Sequence, residues 1–156
     1  MYALAMVAVF AALIAAYTTL TDSQMAFVPA ASAQALALNM GEYRQAVIDY
    51  VLQVDPGFQG SVPAAKLSAV ANYTPNPLWA NYVQGNMVVV YATSQPSSDV
   101  VSDIATLAQG SVMAGSAVNG SEVSPGDPTL AIPLPASIAA AVPNGTPVWL
   151  AQVYPS

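Results

Sequence analysis

The chain has 156 residues, 6% of them charged and 55% hydrophobic, and its two basic and eight acidic side chains leave a formal net charge of -6. Two cations cannot build the clustered basic surface that phosphate neutralisation needs, so nucleic-acid binding is excluded. Neither His nor Cys occurs, which removes Ser-His-Asp and Cys-His triads, disulfides and thiolate zinc sites, because each lacks its base or ligand.

No charge precedes Asp22. Residues 2–20 as one helix would measure roughly 28 Å at about 1.5 Å per residue, close to the thickness of a bilayer's hydrocarbon core. Leu4, Met6, Val7, Val9, Phe10, Leu13 and Ile14 give an apolar centre, with Tyr2 and Tyr17 near the ends where amphipathic rings prefer the headgroups. Residues 1–21 are therefore expected to be a transmembrane anchor, 22–30 a connector and 31–156 one extracytoplasmic domain. The bare amino terminus and acidic body favour an inner-membrane orientation with the domain in the periplasm. A cleaved secretory signal is the alternative: Ala31-Ser32-Ala33 offers a small-x-small site, but no Lys or Arg opens the stretch and about sixteen residues separate the apolar run from the site. Ala8, Ala12 and Ala16 form a small-xxx-small ridge of the kind that lets helices approach closely in lipid. In a segment this rich in alanine the same spacing also arises by chance.

After Pro29 a helix is expected from about Ala31. Leu36, Met40, Tyr43, Val47, Tyr50 and Val54 recur at alternating spacings of four and three, drawing one apolar stripe, while Glu42, Gln45, Asp49 and Gln53 fall off it. Asp55-Pro56-Gly57 stops the helix. Residues 58–80, broken by Gly60, Pro63, Pro75 and Pro77, read as loop with a short helical turn around Ala64 to Val70. Asn81-Tyr82-Val83 and Met87 to Thr93 are expected to pair as a hairpin across Gly85-Asn86. Ser97-Ser98-Asp99 caps a helix from about Val100 to Gln109, with Gly110 at its C-terminal end and Val100, Ile104 and Leu107 buried. Val118-Asn119-Gly120 signals a second hairpin between 111–117 and 121–124. The proline-rich remainder holds a short helix over Ala136 to Ala141 and a last strand over Val148 to Tyr154. The expected class is α+β: a transmembrane helix, then a long amphipathic helix on a small antiparallel sheet with one or two short helices.

Without His or Cys, chemistry would fall to carboxylates, Ser, Tyr or Lys. Asp99 and Asp103 share a helix face and could serve as an acid/base pair, for instance in a carbohydrate-acting enzyme, but a cap and a solvated residue explain them better. Glu122 and Asp127 flank a turn without the ligand spacing of a calcium loop. Lys66, with Ser61 or Ser68 nearby, lacks any sign of an activated environment. No glycine-rich phosphate loop occurs. No catalytic residue, cofactor, metal or small-molecule substrate is therefore expected. Tyr73, Trp79, Tyr82 and Trp149 lie in or near turn-rich segments, and Trp79 and Tyr82 are candidate interface anchors. The alternative is that Trp79 and Trp149 simply close the core.

Asn39-Met40, Tyr43-Arg44, Ala46-Val47 and Tyr50, then Gly60-Ser61-Val62-Pro63 with Leu67, then Trp79-Ala80-Asn81-Tyr82-Val83 leading to Val90-Tyr91, follow an uncharged N-terminal segment. Leu134-Pro135 with Ile138, Val142-Pro143-Asn144-Gly145 and Pro147-Val148 complete the pattern. Together these residues resemble the small PilM family of type IVb pilus biogenesis, which includes the thin pili of conjugative plasmids. The resemblance implies a non-enzymatic inner-membrane component that contacts other pilus-assembly proteins. It is distinct from the actin-like, nucleotide-binding protein of the same name in type IVa systems, whose length and phosphate loops are missing. A minor pilin shares the broad plan, but the basic leader ending in Gly and the acidic residue near the start of the apolar segment are absent.

Overall fold

The computed structural model describes residues 32–71, 74–96 and 99–154. The expected membrane span, its Ala8-Ala12-Ala16 ridge, the connector, Tyr73 and the Ser97-Ser98 part of the helix cap lie outside these residues. Among the described residues no helix is long and apolar enough to cross a membrane.

The helix α1 runs over residues 32–49 and continues into a π turn, Tyr50–Val54. Met40, Tyr43, Val47 and Tyr50 of the expected stripe are buried, and Leu36 packs partly against the same core. Val54 departs from the pattern and is 54% exposed. The π turn is the reason: Asp55 N–H reaches back five residues to the Tyr50 carbonyl, at 3.0 Å. Each residue of so wide a turn advances by a smaller angle than in an α-helix, so Val54 rotates off the stripe and Val51 takes the buried place.

Next come α2 (Ala64–Ala71), β1 (Trp79–Gln84), β2 (Met87–Ala92), α3 (Val101–Leu107), β3 (Ala114–Val118), β4 (Ser121–Ser124), β5 (Asp127–Pro133), α4 (Ala136–Ala139) and β6 (Pro147–Gln152). Six strands form one antiparallel sheet in the order β1-β2-β6-β3-β4-β5. Both expected hairpins form. Asn119 and Gly120 carry φ of 50° and 77°, the left-handed pair whose twist matches the strands of a two-residue turn.

The last strand is not at an edge. β6 inserts between β2 and β3, pairing Val90 with Trp149 on one side and Gly115 with Val148 on the other. Its residues Pro147 to Ala151 are all buried, the continuous pattern of a strand covered on both faces. Alternation along the strands then divides two cores. Val88, Val90, Trp149 and Ala151 face α1, α2 and α3, whereas Val89, Val148 and Leu150 pack with Ala117, Leu134, Ile138 and Val142 on the α4 side.

Several features differ from the sequence expectation. β5, within the proline-rich stretch, is a full strand on the outer edge, mostly exposed and with a register shift opposite Val123 and Ser124. Edge strands tolerate the prolines and lack of apolar alternation that hid it. α3 ends at Leu107, which is 40% exposed instead of buried; Val100 and Ile104 are buried as expected, and Ala108 packs where Leu107 was expected. The helices beyond α1 therefore number three among the described residues, α2, α3 and α4, more than the one or two expected.

Candidate functional site

Arg44 is the chain's only arginine. It projects from α1 toward β6, where its guanidinium carbon lies 5.1 Å from the centre of the Trp149 ring, within the range of a cation–π contact. The β3–β6 ladder ends at Ala114 and Trp149. One residue further, the Leu150 carbonyl accepts a hydrogen bond from Arg44 Nε at 3.0 Å. Trp149 is itself only 9% exposed, and Gly41, one turn before Arg44, lets α1 sit close: a Cβ there would lie 3.4 Å from the indole ring. Stacking and a single anchored nitrogen thus fix the plane of the guanidinium.

No acidic group among the described residues pairs with it. Consistently, the one influence on its proton affinity is burial, which lowers the pKa; a nearby carboxylate would act in the opposite direction. The guanidinium opens on a cavity of about 270 Å³ lined by Leu107, Ala108, Gln109, Ser111, Met113 and Trp149. The chain after α3 shapes this cavity. Gln109 and Gly110 both take left-handed φ, 55° and 72°, and the N–H groups of Ala108, Gln109 and Gly110 return to the carbonyls of Ile104, Thr106 and Ala105. The early end of α3 leaves Leu107 exposed beside the arginine instead of buried under the helix.

A polar group with a structural task lies on the same side of the sheet. Asn81 is buried, and its Nδ2 donates to Tyr43 Oη at 2.8 Å and to the Val62 carbonyl at 3.0 Å, while its Oδ1 accepts from Val62 N at 2.7 Å. These bonds fasten α1 and the loop before α2 to β1.

The interface candidates fare differently. Trp79 lies in the helix-side core at 4% exposure and donates its indole N–H to Asn39 Oδ1 at 2.8 Å, so it closes the core and presents no contact surface. Tyr82 is half-buried on the α4 side. Asp99 accepts from Val101 N at 3.2 Å as a cap. Asp127 accepts from both the hydroxyl and the N–H of Thr129, and these bonds lower its pKa. Lys66 is exposed, and Ser68 donates to the Ala64 carbonyl of its own helix. Among the described residues no group of three or more acidic side chains is placed to hold a metal ion.

Sequence reasoning missed two positions. One is the pairing of Arg44 with Trp149. The other is the burial of Glu122, weighed from the sequence only as a turn-flanking calcium ligand: it is 0% exposed in β4, has no hydrogen-bond partner for either carboxylate oxygen among the described residues, and is pushed up to about 7 by burial. A lone arginine in so poorly charged a chain was the only available signal for the first.

A single antiparallel sheet with its long helix and two short ones on one face and α4 on the other defines an α+β domain whose last strand is central. The PilM family model matches residues 8–150, and the chain belongs to that family, which supports a role connected with pilus biogenesis. In fold it is similar to the crystal structure of a PilM protein from Escherichia coli B7A, at a TM-score of 0.56 and 18% identity over 78% of this chain and 93% of that one. No curated protein sequence matches it.

Proposed function

We propose that this protein is a non-enzymatic component of type IVb pilus biogenesis or conjugation. Residues 1–21 hold it in the bacterial inner membrane, its α+β domain faces the periplasm, and it works by contacting other pilus-assembly proteins. The family match carries this reading, because it runs from residue 8, inside the uncharged opening stretch, through to residue 150 in the final strand. The apolar head and the folded domain thus belong to one family unit. The length and neutrality of the head argue for a span.

Two measurements test the reading together. In membrane fractionation with N-terminal sequencing of the mature chain, an intact Met1 in the inner-membrane fraction is expected. A clipped chain recovered from the soluble periplasm would overturn the anchoring and favour a secreted binding or structural domain. Deleting the gene is expected to abolish piliation, with restoration by the full chain supplied in trans. Normal pili in the deletion strain would overturn the biogenesis role.

A further inference from the structure

We propose that the cavity beside Arg44 is a binding site for a carboxylate group. Of the five N–H donors that a guanidinium carries, Nε is spent on the Leu150 carbonyl, and the two terminal nitrogens have no partner among the described residues. Those nitrogens present paired donors in one plane, the geometry that a carboxylate accepts side by side.

Two observations make this a prepared site. The side chain is already immobilised by Trp149 and Leu150, so little rotamer freedom remains to be lost on binding. The guanidinium is also partly desolvated without compensation by an anion, and a carboxylate entering the cavity would supply that compensation in surroundings where charge-assisted hydrogen bonds are strong.

The walls add selectivity. Leu107, Met113 and the Trp149 ring offer apolar surface, with Gln109 and Ser111 as neutral polar neighbours. At about 270 Å³ the cavity suits a carboxylate attached to a small apolar group, such as the terminus or an acidic side chain of a polypeptide, and is small for a cofactor.

Because Arg44 is the sole arginine, its Nε–H gives a unique NMR signal, which can be followed in the full chain held in a neutral detergent. N-acetyl-leucine is expected to shift the Arg44 Nε–H and Trp149 indole N–H signals to saturation in the millimolar range, while N-acetyl-leucinamide leaves them in place. Acetate serves as the second probe. A response to acetate equal to that of N-acetyl-leucine assigns the site to small free carboxylates. A response to N-acetyl-leucine alone assigns it to carboxylates carried on a peptide-like body. Leu107→Glu, at an exposed position, puts a carboxylate at the mouth of the cavity and is expected to weaken N-acetyl-leucine binding by about tenfold or more without unfolding the protein. Equal shifts with the acid and its amide, no saturation, or unchanged binding in Leu107→Glu would overturn the proposal. Neither outcome bears on whether the protein is anchored or needed for pili.

Discussion

The carboxyl of Glu122 occupies the space that a side chain at position 115 would need. A Cβ built on Gly115 would collide with Glu122 Oε1 and with the backbone carbonyl of Val123. Because one of the obstacles is backbone, no rotamer change relieves it. Gly115→Ala is therefore expected to destabilise the domain by about 2–4 kcal/mol, seen as a lower urea midpoint. Adding Glu122→Ala should recover only part of the loss, since Val123 remains in the way; full recovery would show that the carboxyl alone defines the constraint.

Glu122 also makes stability depend on pH. The unfolded carboxyl releases its proton near 4.5, whereas the folded one keeps it to about 7. Between these values the folded state binds more protons, so stability falls as pH rises through the window and levels off above about 7. The shift corresponds to a loss on the order of 3 kcal/mol. Glu122→Gln should flatten the curve across that window, as measured by denaturant midpoints at half-unit pH steps. A wild-type curve already flat between pH 4.5 and 7 would contradict the burial of an unpartnered carboxyl.

Asn81 satisfies two backbone groups of Val62 and orients Tyr43. Asn81→Ala leaves Val62 N–H and C=O buried without these bonds, at a cost of about 3–5 kcal/mol. Tyr43→Phe removes the bond from Asn81 but leaves both Val62 bonds in place, and is expected to cost less, about 1–2 kcal/mol. Equal losses in the two variants would mean that the Val62 groups find other partners.

Gly41 offers a contrast with Gly115. It sits in a helix interior, and a Cβ there meets only the edge of Trp149 at 3.4 Å. Gly41→Ala is expected to raise stability by up to about 1 kcal/mol through helix propensity. Gly41→Val, which thrusts a branch into the indole ring, is expected to lower it and to change the Trp149 fluorescence. Loss of stability in the alanine variant would mean that α1 cannot move by a few tenths of an ångström.

The proposed function makes a prediction about the opening stretch. If the small-residue ridge is a docking face, Ala12→Leu should impair piliation more than Val9→Leu, because bulk on the ridge blocks close helix approach. Equal piliation in both strains would remove the ridge from the assembly contact.

Local chemistry announced its own elements in this sequence. The Asn119-Gly120 step, the Met40-Tyr43-Val47-Tyr50 stripe and the Val88-Val89-Val90 run all formed as their periodicity and turn residues require. What the sequence concealed depended on distant partners. β5 looked like a proline-rich loop because an outer strand needs no apolar alternation. Glu122 read as a turn residue because the Leu134, Ile138 and Val142 cluster on the Ala117 face that it shares lies far along the chain. Arg44 and Trp149, 105 residues apart in the numbering, meet because β6 enters the middle of the sheet, a placement that no local signal encodes.

That placement has a consequence for how the sheet assembles. β1–β2 and β3–β4–β5 each close through short local turns, but only β6 joins them. Before β6 docks, the polypeptide has two half-sheets, each with an open edge available to any passing strand. The two halves become one folded unit only when β6 docks between β2 and β3.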